Sequence, residues 1–133
     1  MISIVTAYYN RKTLFRKTLY SIARFQYSEQ IEIIAVDGGS RDEERIEDLQ
    51  KEFLFLKVIR LEKSEKWYQN SCIPFNEGFK HVKGDKIIIQ NPECYHFDNV
   101  IEYTFKNLKD KDYLSFSCFA LDKTTTDSYE VSY

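Results

Sequence analysis

Sulfur, proline and glycine are scarce in this 133-residue chain, which has three Cys, one Met, two Pro and four Gly. Cys72, Cys94 and Cys118 are odd in number, far apart and form no CxxC pair. That argues against a zinc site or a disulfide framework and fits a reducing, cytoplasmic setting. Each reads as a small, half-buried apolar residue. Basic charge is not in excess: the formal net charge is −2, whereas nucleic-acid binders usually carry a basic surplus. No apolar run approaches the ~20 residues of a membrane span. The opening MISIVTAYYNRK has no basic segment ahead of an apolar one, so no signal peptide is expected. The glycines form neither GxGxxG nor GxxxxGK(S/T), which makes dinucleotide and P-loop readings poor. Repeats, linkers and low-complexity segments are absent too.

Aromatic and apolar residues are abundant. Hydrophobic content is 43% and aromatic content 16%, with ten Tyr and ten Phe, so the chain is globular rather than disordered. Its length suffices for one domain with a real core.

Taken in order, Ile2–Ala7 (ISIVTA) reads as a strand buried on both faces. Tyr8–Arg11 leaves it as a polar loop, with Asn10 placed to cap a helix over Lys12–Phe25. Leu14, Phe15, Thr18, Leu19, Ile22 and Ala23 form that helix's inner face. Ile31–Val36 (IEIIAV) is a second strand, closed by Asp37-Gly38-Gly39-Ser40. Ser40 with Glu43 matches an S-x-x-E capping box that opens a helix to about Phe53, with Asp42–Asp48 as its solvated face. Leu56–Leu61 is a third strand, nearer an edge because Lys57 and Arg60 interrupt it. A polar loop, Glu62–Asn70, leads to a helix over Cys72–Val82 with Pro74 in its first turn.

Gly84–His96 (GDKIIIQNPECYH) then reads as a central, buried strand that delivers polar groups at its carboxyl end. Asp98 is placed to cap a helix to about Leu108. Tyr113–Leu121 (YLSFSCFAL) reads as a fifth strand. Alternating strands and helices call for a mainly parallel sheet between helix layers. If the fourth strand lies on the far side of the first, a switch point forms between them. Three polar clusters then meet: Thr6–Arg11, Asp37–Ser40 and Gln90–His96.

The chemistry of these clusters suits ligand binding. Asp37 offers an acceptor pair for a base N–H or ribose hydroxyls, and Gly38 and Gly39 allow close approach to the backbone. The alternative is a plain strand-to-helix turn. Asn91 and Glu93, at i and i+2 around Pro92, point the same way in an extended chain. They can hold a divalent cation, magnesium or manganese, or sugar hydroxyls, with His96 a further ligand. The alternative is a polar turn that closes a strand. Trp67 and Tyr68 can stack on a base or sugar ring, or pin their loop to the core. Asn76 lies on the helix before the fourth strand, between the core residues Phe75 and Phe79.

Four blocks of this sequence resemble family-2 glycosyltransferases: SIVTAYYNR, IEIIAVDGGSRD, PFNEGFKHVKGDKIIIQ and NPE. Together they span Ile2–Glu93 in the family's order and approximate spacing. The resemblance implies an α/β, Rossmann-like GT-A fold with a mainly parallel central sheet, forming one nucleotide-sugar-binding domain over residues 1–133 with its acceptor half reduced or absent. It implies transfer, of hexosyltransferase type, from a UDP- or GDP-linked sugar to a glycan or other hydroxyl acceptor. The alternative is a non-catalytic nucleotide- or glycan-binding module, or the donor-binding fragment of a larger transferase. By position, Asp37 matches the aspartate that contacts the base. Thr6, Ala7, Tyr8, Asn10 and Arg11 match the loop lining the base and ribose site, with Gly38 beside it. Asn76 matches an asparagine before the metal strand, and Gln90 ends that strand. Asn91 and Glu93 match the D-x-D pair that holds metal and sugar diphosphate, with Asn91 in place of a carboxylate. No residue matches the family's catalytic base.

Overall fold

The computed structural model describes residues 1–62, 70–110 and 112–128. Trp67 and Tyr68 lie outside them. Among the described residues a single parallel sheet forms in the order β3-β2-β1-β4. Its strands are β1 (Ile2–Tyr8), β2 (Ile31–Asp37), β3 (Leu56–Arg60) and β4 (Lys86–Ile89). Helices α1 (Lys12–Ala23), α2 (Leu49–Glu52), α3 (Cys72–Phe79), α4 (Val100–Asn107) and α5 (Lys123–Ser128) complete the architecture.

The two runs of β-branched residues take the two central places. In β1 and β2, Ile4, Val5, Ile34, Ala35 and Val36 are fully buried. Helix α1 covers one face, where Phe15, Leu19 and Ile22 join Ile2, Ile4, Tyr8, Ile33 and Ile101 in one core. Full burial of each such side chain stabilises the fold by about 1.5–3 kcal/mol. Helix α3 covers the opposite face. A Cβ on Gly78 would stand 2.6 Å from Val5 Cγ1 and 3.2 Å from Val36 Cγ2, so glycine is what lets this helix seat on the sheet. β3 is an edge strand, as the charges in its sequence predict.

Several expectations are corrected. β4 is the other edge, not a central strand: Ile87 is 43% exposed and Ile89 61%. The Tyr113–Leu121 segment, expected as a fifth strand, has no regular secondary structure, and Tyr113 and Phe119 stand exposed. Nothing among the described residues therefore pairs with the outer side of β4. Cys72 and Cys118 are exposed, and only Cys94 is half-buried. Ala23, at the end of the shorter α1, is exposed, and so is Phe79 on α3.

The helix expected over Ser40–Phe53 is broken. A single 3-10 turn at Asp42–Glu44 is followed by an extended Arg45 and then by α2. Ser40 caps nothing: its N–H donates back to Asp37 and its hydroxyl accepts from Asn10 N–H. Cross-links to α1 hold the segment instead: Lys12 Nζ to Asp48 at 3.0 Å and Arg16 to Glu52 at 2.7 Å. The acidic run is thus an ion-paired flank rather than a merely solvated face. The caps shift by one residue as well. Arg11, not Asn10, precedes α1, and Asn99, not Asp98, caps α4 by accepting from Glu102 N–H.

Candidate functional site

All four strands run parallel, so their carboxyl ends share one edge. The order β2-β1-β4 puts the switch point between β1 and β4, where open α/β sheets bind ligands. Tyr8 stands in register with Asp37, and Asp37 with Arg60. Gln90 joins the same edge by donating its N–H to Val5 O at 3.3 Å. The ends of the first two expected polar clusters therefore meet, and Gln90 of the third ends on the same edge.

The first two clusters are locked together. Asp37 Oδ1 accepts from Gly39 N–H at 3.0 Å and Ser40 N–H at 2.8 Å. Ser40 Oγ accepts from Asn10 N–H at 2.9 Å, and Asn10 Oδ1 accepts from Arg41 N–H at 2.9 Å. Gly38 N–H donates to Tyr8 O at 3.0 Å. Two residues of the lock adopt left-handed backbone: Gly39 at φ 96° and Asn10 at φ 49°. Glycine takes that conformation freely, and asparagine is among the side chains that tolerate it best. Tyr8 adds a buried tie. Its hydroxyl donates to Glu44 O at 2.6 Å and accepts from Arg11 N–H at 3.2 Å. Burial pushes the phenol well above its ordinary pKa, so Tyr8 stays neutral.

These contacts correct the role expected for Asp37. Its carboxylate does not face the crevice. It is fully buried, with Oδ1 committed to the loop and Oδ2 receiving Arg60 Nη2 at 2.9 Å. An aspartate followed by Gly-Gly-Ser folds back onto the next N–H groups in this way. Arg60 is held in turn by Glu47, through Nε at 2.6 Å and Nη2 at 2.7 Å. Burial opposes the Arg60 charge, but Glu47 and Asp37 outweigh it and raise its pKa. Arg60 and Glu47 are the partners of Asp37 that sequence reasoning missed. The available signal was that Arg60 and Asp37 end adjacent parallel strands.

The remaining expected residues divide by exposure. Thr6 is buried and its Oγ1 has no partner. Ala7, Asn10 and Gln90 are half-buried at the carboxyl edge. Arg11, Asn91 and Glu93 are exposed there. Asn76 is exposed on α3, which packs on the sheet face opposite α1.

His96 is corrected as a metal ligand. It is 6% exposed, and its Nε2 lies 2.8 Å from Gln90 Oε1. Burial, with Arg24 nearby, lowers its pKa to about 4. Among the described residues no three His, Cys, Asp or Glu side chains group to hold a metal ion. What remains is one carboxylate, Glu93, and the side-chain carbonyl of Asn91. Such a pair fits a cation that arrives with phosphate oxygens and keeps its waters.

A separate concavity of about 340 Å³ lies over α1, lined by Lys12, Thr13, Arg16, Lys17, Glu43 and Glu44. Its cations are already engaged: Lys12 by Asp48, Arg16 by Glu52, and Lys17 by the carbonyl of Thr126. The end of the sheet at its switch point is the candidate that the topology favours. No helix among the described residues is long and apolar enough to cross a membrane.

The sequence profile of glycosyl transferase family 2 matches residues 3–132. No curated protein matches the sequence. Among solved structures, S. aureus TarS 1-349 in complex with UDP-GlcNAc superposes with a TM-score of 0.66 at 23% identity, over 79% of this chain and 30% of that one. The mannosyltransferase PcManGT from Pyrobaculum calidifontis, in complex with GDP-Man and Mn2+, gives a TM-score of 0.66 at 17% identity, over 83% of this chain and 32% of that one. A further S. aureus TarS structure gives 0.57 at 25% identity, over 69% of this chain and 16% of that one. These neighbours have the GT-A fold, and this chain shares it. It spans about a third or less of their lengths.

Proposed function

Because the chain belongs to glycosyl transferase family 2, we propose that residues 1–133 form the donor-binding domain of a glycosyltransferase. It holds a UDP- or GDP-linked sugar in the carboxyl-edge crevice for transfer, of hexosyl type, to a hydroxyl acceptor such as a glycan. The observation that supports this most is that the interlocked Tyr8–Arg11 and Asp37–Ser40 loops and Gln90 all end on the carboxyl edge of the sheet, whose switch point lies between β1 and β4. UDP-GlcNAc and GDP-Man in the neighbours motivate the two nucleotides.

In this reading Ala7, Asn10 and Arg11 line the nucleotide, with the Gly38 backbone at their side. Thr6, Tyr8 and Asp37 support that wall from beneath. Asn76 flanks the site from α3. Glu93 and the Asn91 carbonyl hold a manganese or magnesium ion that comes with the diphosphate. Such an ion neutralises charge on a leaving diphosphate. Three free cysteines suit a reducing, cytoplasmic compartment.

One observation favours a second reading. Asn91 stands where the family's motif has a carboxylate, which lowers the ligand charge available to a metal. A module that binds the donor without transferring it would tolerate that change.

A thermal-shift panel of UDP- and GDP-linked sugars, with and without manganese, tests the proposal. A raised melting temperature with one of them is expected, larger with the metal. No shift with any of them contradicts it. Release of free nucleotide diphosphate from the donor separates the transferase from the silent module.

A further inference from the structure

The carboxyl edge holds a second polar pair, of buried His96 and half-buried Gln90. His96 Nε2 and Gln90 Oε1 are 2.8 Å apart. The His96 backbone is fixed from the α1 side. Its N–H donates to Ser21 Oγ at 2.9 Å, and its carbonyl accepts from Arg24 Nη2 at 2.6 Å. The ring's other nitrogen, Nδ1, is buried without a partner.

That asymmetry decides the tautomer. A proton on Nδ1 would bury an orphaned N–H donor. A proton on Nε2 leaves only an unused lone pair there, the less costly defect. Nε2–H therefore donates to Gln90 Oε1. A carboxamide whose oxygen is held from the core side turns its NH2 the opposite way. Gln90 directly follows β4 at the carboxyl edge and is half-buried there, next to the exposed Asn91.

We propose that His96 is a positioning residue: it holds Gln90 so that the side-chain NH2 donates into the crevice, to an oxygen of the bound nucleotide sugar. That oxygen belongs to the diphosphate or to a sugar hydroxyl. The proposal rests on the donor-site reading for its ligand, but not for the His96–Gln90 geometry. It turns Gln90 from a generic polar residue into a donor of fixed direction.

Two measurements test it. His81→Gln leaves His96 as the sole histidine ring, and long-range 1H–15N spectra then report its tautomer. The neutral Nε2–H form is expected throughout about pH 5.5–7.5, where an ordinary histidine would titrate. An Nδ1–H tautomer, or an imidazolium in that range, overturns the proposal. In the second, UDP, UDP-GlcNAc and GDP-mannose are titrated against the wild type, His96→Leu and His96→Gln. The glutamine keeps an N–H where Nε2–H was. His96→Leu is expected to lose about tenfold in affinity, the scale of one misdirected hydrogen bond, and His96→Gln to stay within about threefold.

A loss in His96→Leu already seen with UDP assigns the acceptor to the diphosphate. A loss only with the nucleotide sugars assigns it to the sugar. Equal losses in two folded variants, or no loss in His96→Leu, overturn the positioning role. Nε2–H in His81→Gln together with a wild type that binds none of the three ligands overturns the donor-site reading. A wild type that binds, with Nδ1–H in His81→Gln, overturns the His96 proposal alone.

Discussion

Arg60 reaches Asp37 across neighbouring parallel strands, Nη2 to Oδ2 at 2.9 Å, with the aspartate side chain fully buried and the arginine 14% exposed. One carboxylate oxygen thereby ties β2 to β3, while the other shapes the loop that meets Asn10. Removing the arginine leaves a buried carboxylate without its cation. Arg60→Met is expected to destabilise the fold by on the order of 3 kcal/mol in urea unfolding. Asp37→Asn keeps an oxygen for Gly39 and Ser40 and removes the stranded charge. Adding it to Arg60→Met should restore part of the loss, and a double-mutant cycle measures how much. Purely additive losses would contradict the coupling.

His96 gives the protein a pH signature. Its folded pKa is about 4, against 6.5 for the free side chain. Between those values the unfolded chain binds the extra proton and the folded one does not. Stability therefore rises with pH across this window and falls as acid is added from about pH 6.5 down to about 4. The contribution is up to about 3 kcal/mol. Chemical denaturation at a series of pH values should show this slope in the wild type and lose it in His96→Leu.

Gly78 is expected to resist even the smallest side chain. Alanine would gain about 1 kcal/mol of helix propensity. Its Cβ would meet Val5 Cγ1 at 2.6 Å, inside a face where Val5 and Val36 are fully buried. Overpacking of this kind typically costs 1–3 kcal/mol. Gly78→Ala should lower the melting temperature. An increase would mean that α3 sits farther from the sheet.

Asn91 is the place to read the metal. Asn91→Asp adds a second carboxylate beside Glu93 and raises the charge offered to a cation. Manganese should then strengthen nucleotide-sugar binding by about tenfold more than it does in the wild type, or about 1.4 kcal/mol. Calorimetry with and without manganese checks it. An unchanged manganese effect would point to direct contact of Asn91 with the sugar.

The central architecture was legible because it rests on local pattern. ISIVTA and IEIIAV are apolar on both faces, and only a doubly covered strand accommodates that. Edge charges placed β3 correctly. The III run of β4 looks just as buried in sequence, yet Ile87 and Ile89 are exposed. An apolar run reports a strand, not whether both of its faces are covered: Ile88 packs against the core while Ile87 and Ile89, on the other face, do not. The capping box at Ser40 failed for a related reason. Its hydroxyl is taken by Asn10 N–H, a partner 30 residues away. The sites follow the same division. The loops that converge were visible as polar segments at strand ends. That Asp37 turns inward to Arg60, and His96 inward to Gln90, depends on contacts across the fold that no local pattern records.

Amide-shift mapping by 1H–15N spectroscopy during titration with UDP-GlcNAc or GDP-mannose locates the donor site directly. The strongest shifts are expected on residues 6–11, 38–40 and 90–93, at the carboxyl edge of β1, β2 and β4. Shifts centred on the α1 concavity around Lys12 and Arg16, or at the opposite end of the sheet, would contradict it, and so would no shifts with either ligand.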